Sequence, residues 1–184
     1  QAFRYAVTKD KQALENLRLL MVSEKERSEI AGVPGIFVRE LIPPGYEGIS
    51  CPKNDDEYVP DVEKDDNMWV RIGDDGCAWY VDRDTKKWTA SKHCGLDKYK
   101  NWCFHDNVSK DEYSGHLFAL GVVAKLVDDP QIQALTKQML SEVADNMMTN
   151  KLEFKDWDGR VAEHGRIFAM AMDDYQGFNA GMAL

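Results

Sequence analysis

Apolar positions recur at helical spacing in three stretches of the chain and alternate in two others. Leu14, Leu17, Leu20 and Met21 fall on one face of a helix from about Lys11 to Ala31, with Glu15, Asn16 and Arg18 on the other side. A shorter helical end precedes it at residues 2–7, broken at Thr8-Lys9-Asp10. Gly32 and Pro34 supply the stop, because glycine accepts a left-handed cap and proline cannot continue the hydrogen-bond ladder. Ser109-Lys110-Asp111-Glu112 spells a capping box, with Val108 and Tyr113 placed for a hydrophobic staple. The helix it opens runs to about Val127. Leu117, Phe118, Ala119, Leu120, Val122, Val123, Ala124 and Leu126 make it apolar nearly all round, which predicts an inner, buried helix. Asp128-Asp129-Pro130 ends it and starts the next, with Asp129 as cap and Pro130 at the first helical position. Ile132, Leu135, Met139, Val143 and Met147 mark one face of that helix and Gln133, Lys137, Glu142 and Asp145 another, as expected of an outer, half-solvated helix antiparallel to its predecessor.

Period two replaces helical spacing at Ala78-Trp79-Tyr80-Val81 and Lys86-Lys87-Trp88-Thr89, a β-hairpin about the polar turn between them. A second hairpin is predicted over 152–161, around Asp158-Gly159. A terminal helix is expected over about 173–184. The expected organisation is one domain over 1–184. Helical hairpins lie at 1–32 and 109–149, and a loop-rich, cysteine-containing insertion at 33–108, punctuated by Pro43-Pro44-Gly45, Pro52 and Pro60.

Charge narrows the functional classes. Lys plus Arg number 23 against 32 Asp plus Glu, a net charge of -9, which disfavours a nucleic-acid partner because phosphate neutralisation needs a basic surface. No apolar run is long enough to span a membrane. The chain opens on Gln1 and stops in an apolar stretch, so both ends read as cut from something larger. Cys51, Cys77, Cys94 and Cys103 all lie in the loop-rich segment. They read as two disulfides of open pairing, and hence as an extracellular or periplasmic, secreted protein. Zinc is the rival, with His93 and His105 adjacent, but the cysteines lack the close ligand pairs of a structural zinc site. Asn107-Val108-Ser109 is a glycosylation sequon.

Tyr5-Ala6-Val7-Thr8-Lys9-Asp10 and Ile30–Arg39, together with Ser109–His116 and Asp156-Trp157-Asp158-Gly159-Arg160, resemble segments of secreted bacterial proteins in the six-hairpin glycosidase-like superfamily. The resemblance implies a mainly α fold, a partial α/α-hairpin toroid with small β-hairpins in long disulfide-stapled loops. It also implies a sugar-binding cleft at the inner-helix ends. A complete toroid needs more helices than this chain holds, so the remainder of the same toroid, or another copy, is an expected partner beside carbohydrate.

Three constellations carry candidate chemistry. Asp111, Glu112, Tyr113 and His116 share a helix start, where a carboxylate beside an imidazole tunes it for acid–base work. The competing reading is a cap, a dipole partner and a core histidine. In the second, which holds Asp156, Asp158, Glu163, His164 and Arg166, Asp158 or Glu163 could supply the second carboxylate a glycosidase needs by pairing with Asp111 or Glu112, with His164 a further catalytic candidate; the competing reading is a turn and a surface ion pair. Trp79, Trp88 and Trp102, with Trp69, Tyr80 and His105, could stack on sugar rings or form a small core beneath the loop. Acidic runs at 54–57, 63–66 and 74–75 lack the spacing of an ordered calcium loop, so no cofactor is expected, with calcium a minor alternative. The expected activity is that of a polysaccharide hydrolase or lyase. The alternative is a non-catalytic secreted glycan-binding or surface-assembly module.

Overall fold

The computed structural model describes residues 1–45, 69–82, 84–85 and 87–167, with the side chains of Glu163 and His164 left out. Helix α1 spans Ala2–Thr8 and α2 spans Lys11–Glu29. Asp10 caps α2 by accepting from the Gln12 N–H at 2.9 Å. Strands β1 (Glu40–Ile42), β2 (Trp69–Ile72), β3 (Cys77–Val81), β4 (Trp88–Cys94) and β5 (Cys103–His105) follow, then α3 (Lys110–Leu126) and α4 (Pro130–Thr149), then β6 (Glu153–Lys155) and β7 (Val161–Arg166).

The first five strands form one antiparallel sheet in the order β1-β5-β2-β3-β4, and β6 pairs with β7 in a separate hairpin. This overturns the mainly α toroid. The stretch expected to be a loop-rich insertion builds a five-stranded sheet, so the protein is mixed α and β. The cause is visible in the burial alternation. Val70 and Ile72 are buried while Trp69 and Arg71 are half-buried, the alternation of a strand that lays one face on the core.

One apolar core joins helices and sheet. It takes Leu17 and Met21 from α2, Tyr113, Leu120 and Val123 from α3, Met139 and Val143 from α4, and Val70, Ile72, Ala78 and Phe104 from the sheet. Phe154 and Trp157 extend it to the β6–β7 hairpin. The opposite face of the sheet carries a second small cluster of Val81 and Trp88, with Trp69 and Trp79 packed against it.

Helix α3 differs from the inner helix expected. Its buried positions are Lys110, Tyr113, Leu120 and Val123, whereas Phe118 is 70% exposed and Ala119 and Ala124 face outward. An apolar sequence all round thus leaves a bare stripe among the described residues, because α1 and α4 cover only part of its circumference. The α3–α4 connection is tied back to the first hairpin. Lys9 and Tyr5 bind Asp128 at 3.0 and 2.9 Å, and Arg18 binds Asp129 at 2.7 Å. No described helix is long and apolar enough to cross a membrane.

Cys77 and Cys94 form a disulfide between the paired strands β3 and β4. Cys103 is also disulfide-bonded, and Cys51 lies outside the described residues. So do the acidic runs at 54–57 and 63–66 and the terminal helix expected over 173–184.

Candidate functional site

The first predicted constellation is placed together but is occupied by structural contacts. Tyr113 is fully buried; its hydroxyl donates to the Gly35 carbonyl at 2.7 Å and accepts from the Phe37 N–H at 3.1 Å. Burial raises its phenol far above the ordinary value. Glu112 closes the capping box, accepting from the Ser109 N–H and hydroxyl at 3.1 and 2.9 Å, and pairs with Arg39 at 3.1 Å. Asp111 is held below the usual carboxylate range by its hydrogen bond with Ser109, and by the helix N–H groups. His116 Nδ1 is paired with the Glu24 carboxylate while its ring stacks on Phe37 at 4.8 Å. Ser109 and Lys110, at the start of α3, are both 5% exposed.

The predicted sugar-stacking residues divide between the two apolar clusters: Trp69, Trp79 and Trp88 gather on one face of the sheet, and Tyr80 and Trp102 pack against the main core. Trp79 and Trp88 hold the Arg71 guanidinium, at 5.5 and 4.8 Å from their ring centroids, and the Trp79 N–H donates to Asp75. His105 stacks on Trp69 at 5.0 Å, and burial lowers its basicity. Trp102 meets Tyr99 edge to face at 5.6 Å. Arg166 pairs with Glu153 at 3.5 Å. His164 lies on β7, and its side chain is not described. Among the described residues no group of acidic, histidine or cysteine side chains could hold a metal ion.

A different set of residues converges. An open cleft of about 570 Å3 is lined by Tyr80, Ala90, Ser91, Lys92, His93, Trp157 and Asp158. It lies where β4, an edge strand of the sheet among the described residues, meets the turn of the β6–β7 hairpin. Each element has a local reason to be there. Pairing of Tyr80 with Thr89 sets one face of β4, and the two-residue period carries Ser91 and His93 onto that face. The hairpin turn closes through Gly159, whose φ of 85° suits glycine and whose N–H donates to the Asp156 carbonyl at 2.9 Å.

Two anchors fix the cleft wall. His93 Nε2 lies 2.7 Å from the Ala31 carbonyl. A carbonyl only accepts, so Nε2 carries the proton, and in the neutral ring Nδ1 is the acceptor. That contact needs Gly32, because a Cβ at its φ of 66° would stand 2.6 Å from the imidazole. Trp157 tilts against both Tyr80 and His93 at 5.8 Å and donates its N–H to the buried Asp106 at 3.3 Å. Arg160 ties the same Asp106, at 3.1 Å, to Asp158, at 2.5 Å, and its backbone N–H reaches Asp158 at 3.0 Å. Of the predicted catalytic residues whose side chains are described, Asp158 is the one that lines this cleft, and its charge is met by Arg160.

Sequence reasoning missed Ser91, Lys92, His93 and Trp157 as a group. Tyr80 was among the aromatics, and His93 was weighed only as a zinc ligand. The available signal was the alternation Thr89-Ser91-His93 beyond Trp88, which extends the first hairpin past its expected end. Nothing in sequence places Trp157 against it. Compared with known proteins, the chain matches no family model, no curated protein and no solved structure. The function is therefore argued from the cleft.

Proposed function

We propose that this protein is a secreted glycan-binding module that retains a sugar in the cleft between β4 and the β6–β7 hairpin. The observation that carries this reading is the pairing of Tyr80 and Trp157 along a wall otherwise made of Ser91, Lys92, His93 and Asp158. Sugar rings have apolar C–H faces and hydroxyl edges. A site for them needs an aromatic surface flanked by hydrogen-bonding side chains, and it need not be deep. Trp157 is 7% exposed and fixed by Asp106, so it acts as a rigid wall, while the half-buried Tyr80 offers ring surface. A preformed aromatic wall lowers the ordering cost of binding.

Retention is favoured over cleavage by the state of the carboxylates. Glycoside hydrolysis uses two carboxyl groups flanking the scissile bond, about 5–9.5 Å apart. Among the described residues Asp158 is the one carboxylate that lines the cleft, and it is bound by Arg160. The disulfide between Cys77 and Cys94 supports an oxidising compartment.

A glycan array with product analysis tests the proposal. Retention without release of sugar is expected, and Tyr80→Ala should weaken it by about two- to tenfold, since an aromatic contact is worth about 0.5–1.5 kcal/mol. Retention undiminished in Tyr80→Ala, or an array without any bound glycan, would refute the reading.

A further inference from the structure

The two-residue period that brings half-buried Ser91 and His93 onto the face of Tyr80 leaves exposed Ala90 and Lys92 on the other. The serine and the histidine therefore set the hydrogen bonding of β4 beside the aromatic wall. Each has one bond committed and one open. The His93 Nε2–H donates to the Ala31 carbonyl at 2.7 Å. A Cβ at Gly32 would stand 2.6 Å from Nε2 and 3.1 Å from Cε1, so that end of the ring is turned to the loop after α2. Trp157 tilts against the same ring at 5.8 Å. Nδ1 is the acceptor of the neutral imidazole. Among the described residues it meets no donor and is not closed off from solvent. Ser91 accepts from the His93 backbone N–H at 3.1 Å, and its own O–H is uncommitted among the described residues.

From this arrangement we infer that His93 and Ser91 determine which sugars the cleft accepts, with one ligand hydroxyl donating to Nδ1 of His93 and a second ligand oxygen accepting from Ser91. The inference rests on the glycan-binding reading and deepens it, naming the ligand class as a neutral pyranose with free hydroxyls. The Ala31 carbonyl can only accept, so it fixes the proton on Nε2 and makes Nδ1 an acceptor before any ligand arrives. A site built to bond a hydroxyl discriminates against an analogue that lacks it, because its own polar group is then left unmet. An ionic sugar gains little here. Asp158 is already met by Arg160, through the side chain and the backbone N–H, and Lys92 lies on the other face of the strand.

The test is a double-mutant cycle between protein and sugar, followed by NMR titration of the intact protein. The probes are methyl glucoside, methyl galactoside and methyl mannoside, then the monodeoxy forms of the one that binds most tightly. A neutral hydrogen bond moves a binding constant by about two- to tenfold. Deleting one particular hydroxyl should weaken wild-type binding by that factor. The same deletion should cost nothing further in His93→Gln, whose amide keeps a donor for Ala31 and has no acceptor at the place of Nδ1. Ser91→Ala should couple in the same way to a different ligand oxygen, and it decides the matter if urea unfolding shows that His93→Gln is not folded. Wild-type binding indifferent to every deletion, or losses equal in wild type and the folded variant, overturns the inference and leaves glycan binding standing. Binding of none of the three glycosides also overturns it, and joined to an empty glycan array it removes the broader reading as well.

Discussion

Tyr113 shows how one side chain can join three parts of the chain. From the first turn of α3 it reaches the carbonyl of Gly35 and the N–H of Phe37, and its ring stacks on Phe154 of β6 at 3.8 Å. Gly35 is required at the other end of the bond. Its φ is 82°, and a Cβ there would stand 2.2 Å from the Glu142 carbonyl of α4. Tyr113→Phe keeps the ring and deletes the hydroxyl, leaving a buried donor and a buried acceptor unmet, so it should cost about 1–3 kcal/mol. Urea unfolding measures this. An unchanged midpoint would mean that the link contributes nothing net. The carboxylates beside it read from sequence as a capping box, and that box is present. The tyrosine's long-range partner was not legible, since nothing local to residue 113 encodes a loop near residue 35.

Helices were the easiest elements to read. Their starts at Asp10, Ser109 and Asp129 are written in short-range chemistry, and α2, α3 and α4 begin there. Strands β1, β2 and β5 were not identified, because segments of three or four residues are too short to show a period, and their partners are distant in sequence. The cleft suffers from the same limit, since it is made by β4 and by a hairpin far along the chain. At this scale Asp129 offers a quantitative check. It accepts from the Ile132 N–H at 3.0 Å and from Arg18, and these hold its carboxyl below the usual range. A depressed folded pKa stabilises the protein above the unfolded value of about 3.9, and that contribution is lost as pH falls through the folded pKa. Asp129→Ala should therefore cost about 1 kcal/mol at pH 7. The difference from wild type should shrink as the pH approaches 3, when both are followed by urea unfolding. A difference independent of pH would contradict the assignment.

At the scale of the whole molecule, two apolar clusters on opposite faces of one sheet explain why the tryptophans misled. Aromatic density was readable between residues 69 and 102, but which side of the sheet each ring takes depends on register, which a sequence does not display. The disulfide of Cys77 and Cys94 joins β3 to the edge strand that bears the cleft. It closes a sequence separation of 17 residues, and a link of that span restricts the unfolded chain by about 3 kcal/mol. The double variant Cys77→Ser, Cys94→Ser should lose stability on that order in urea. It should also lose glycan retention if the edge strand frays. An unaltered unfolding midpoint would show that the sheet holds β4 without it.

His93 has two duties that neighbouring positions do not share. Its imidazole lines the cleft and also latches the turn that follows α2, through a gap kept open by Gly32. Change at 93 reshapes the cleft wall and loosens the end of a helix at once, so this position should tolerate less drift than its exposed neighbours on β4.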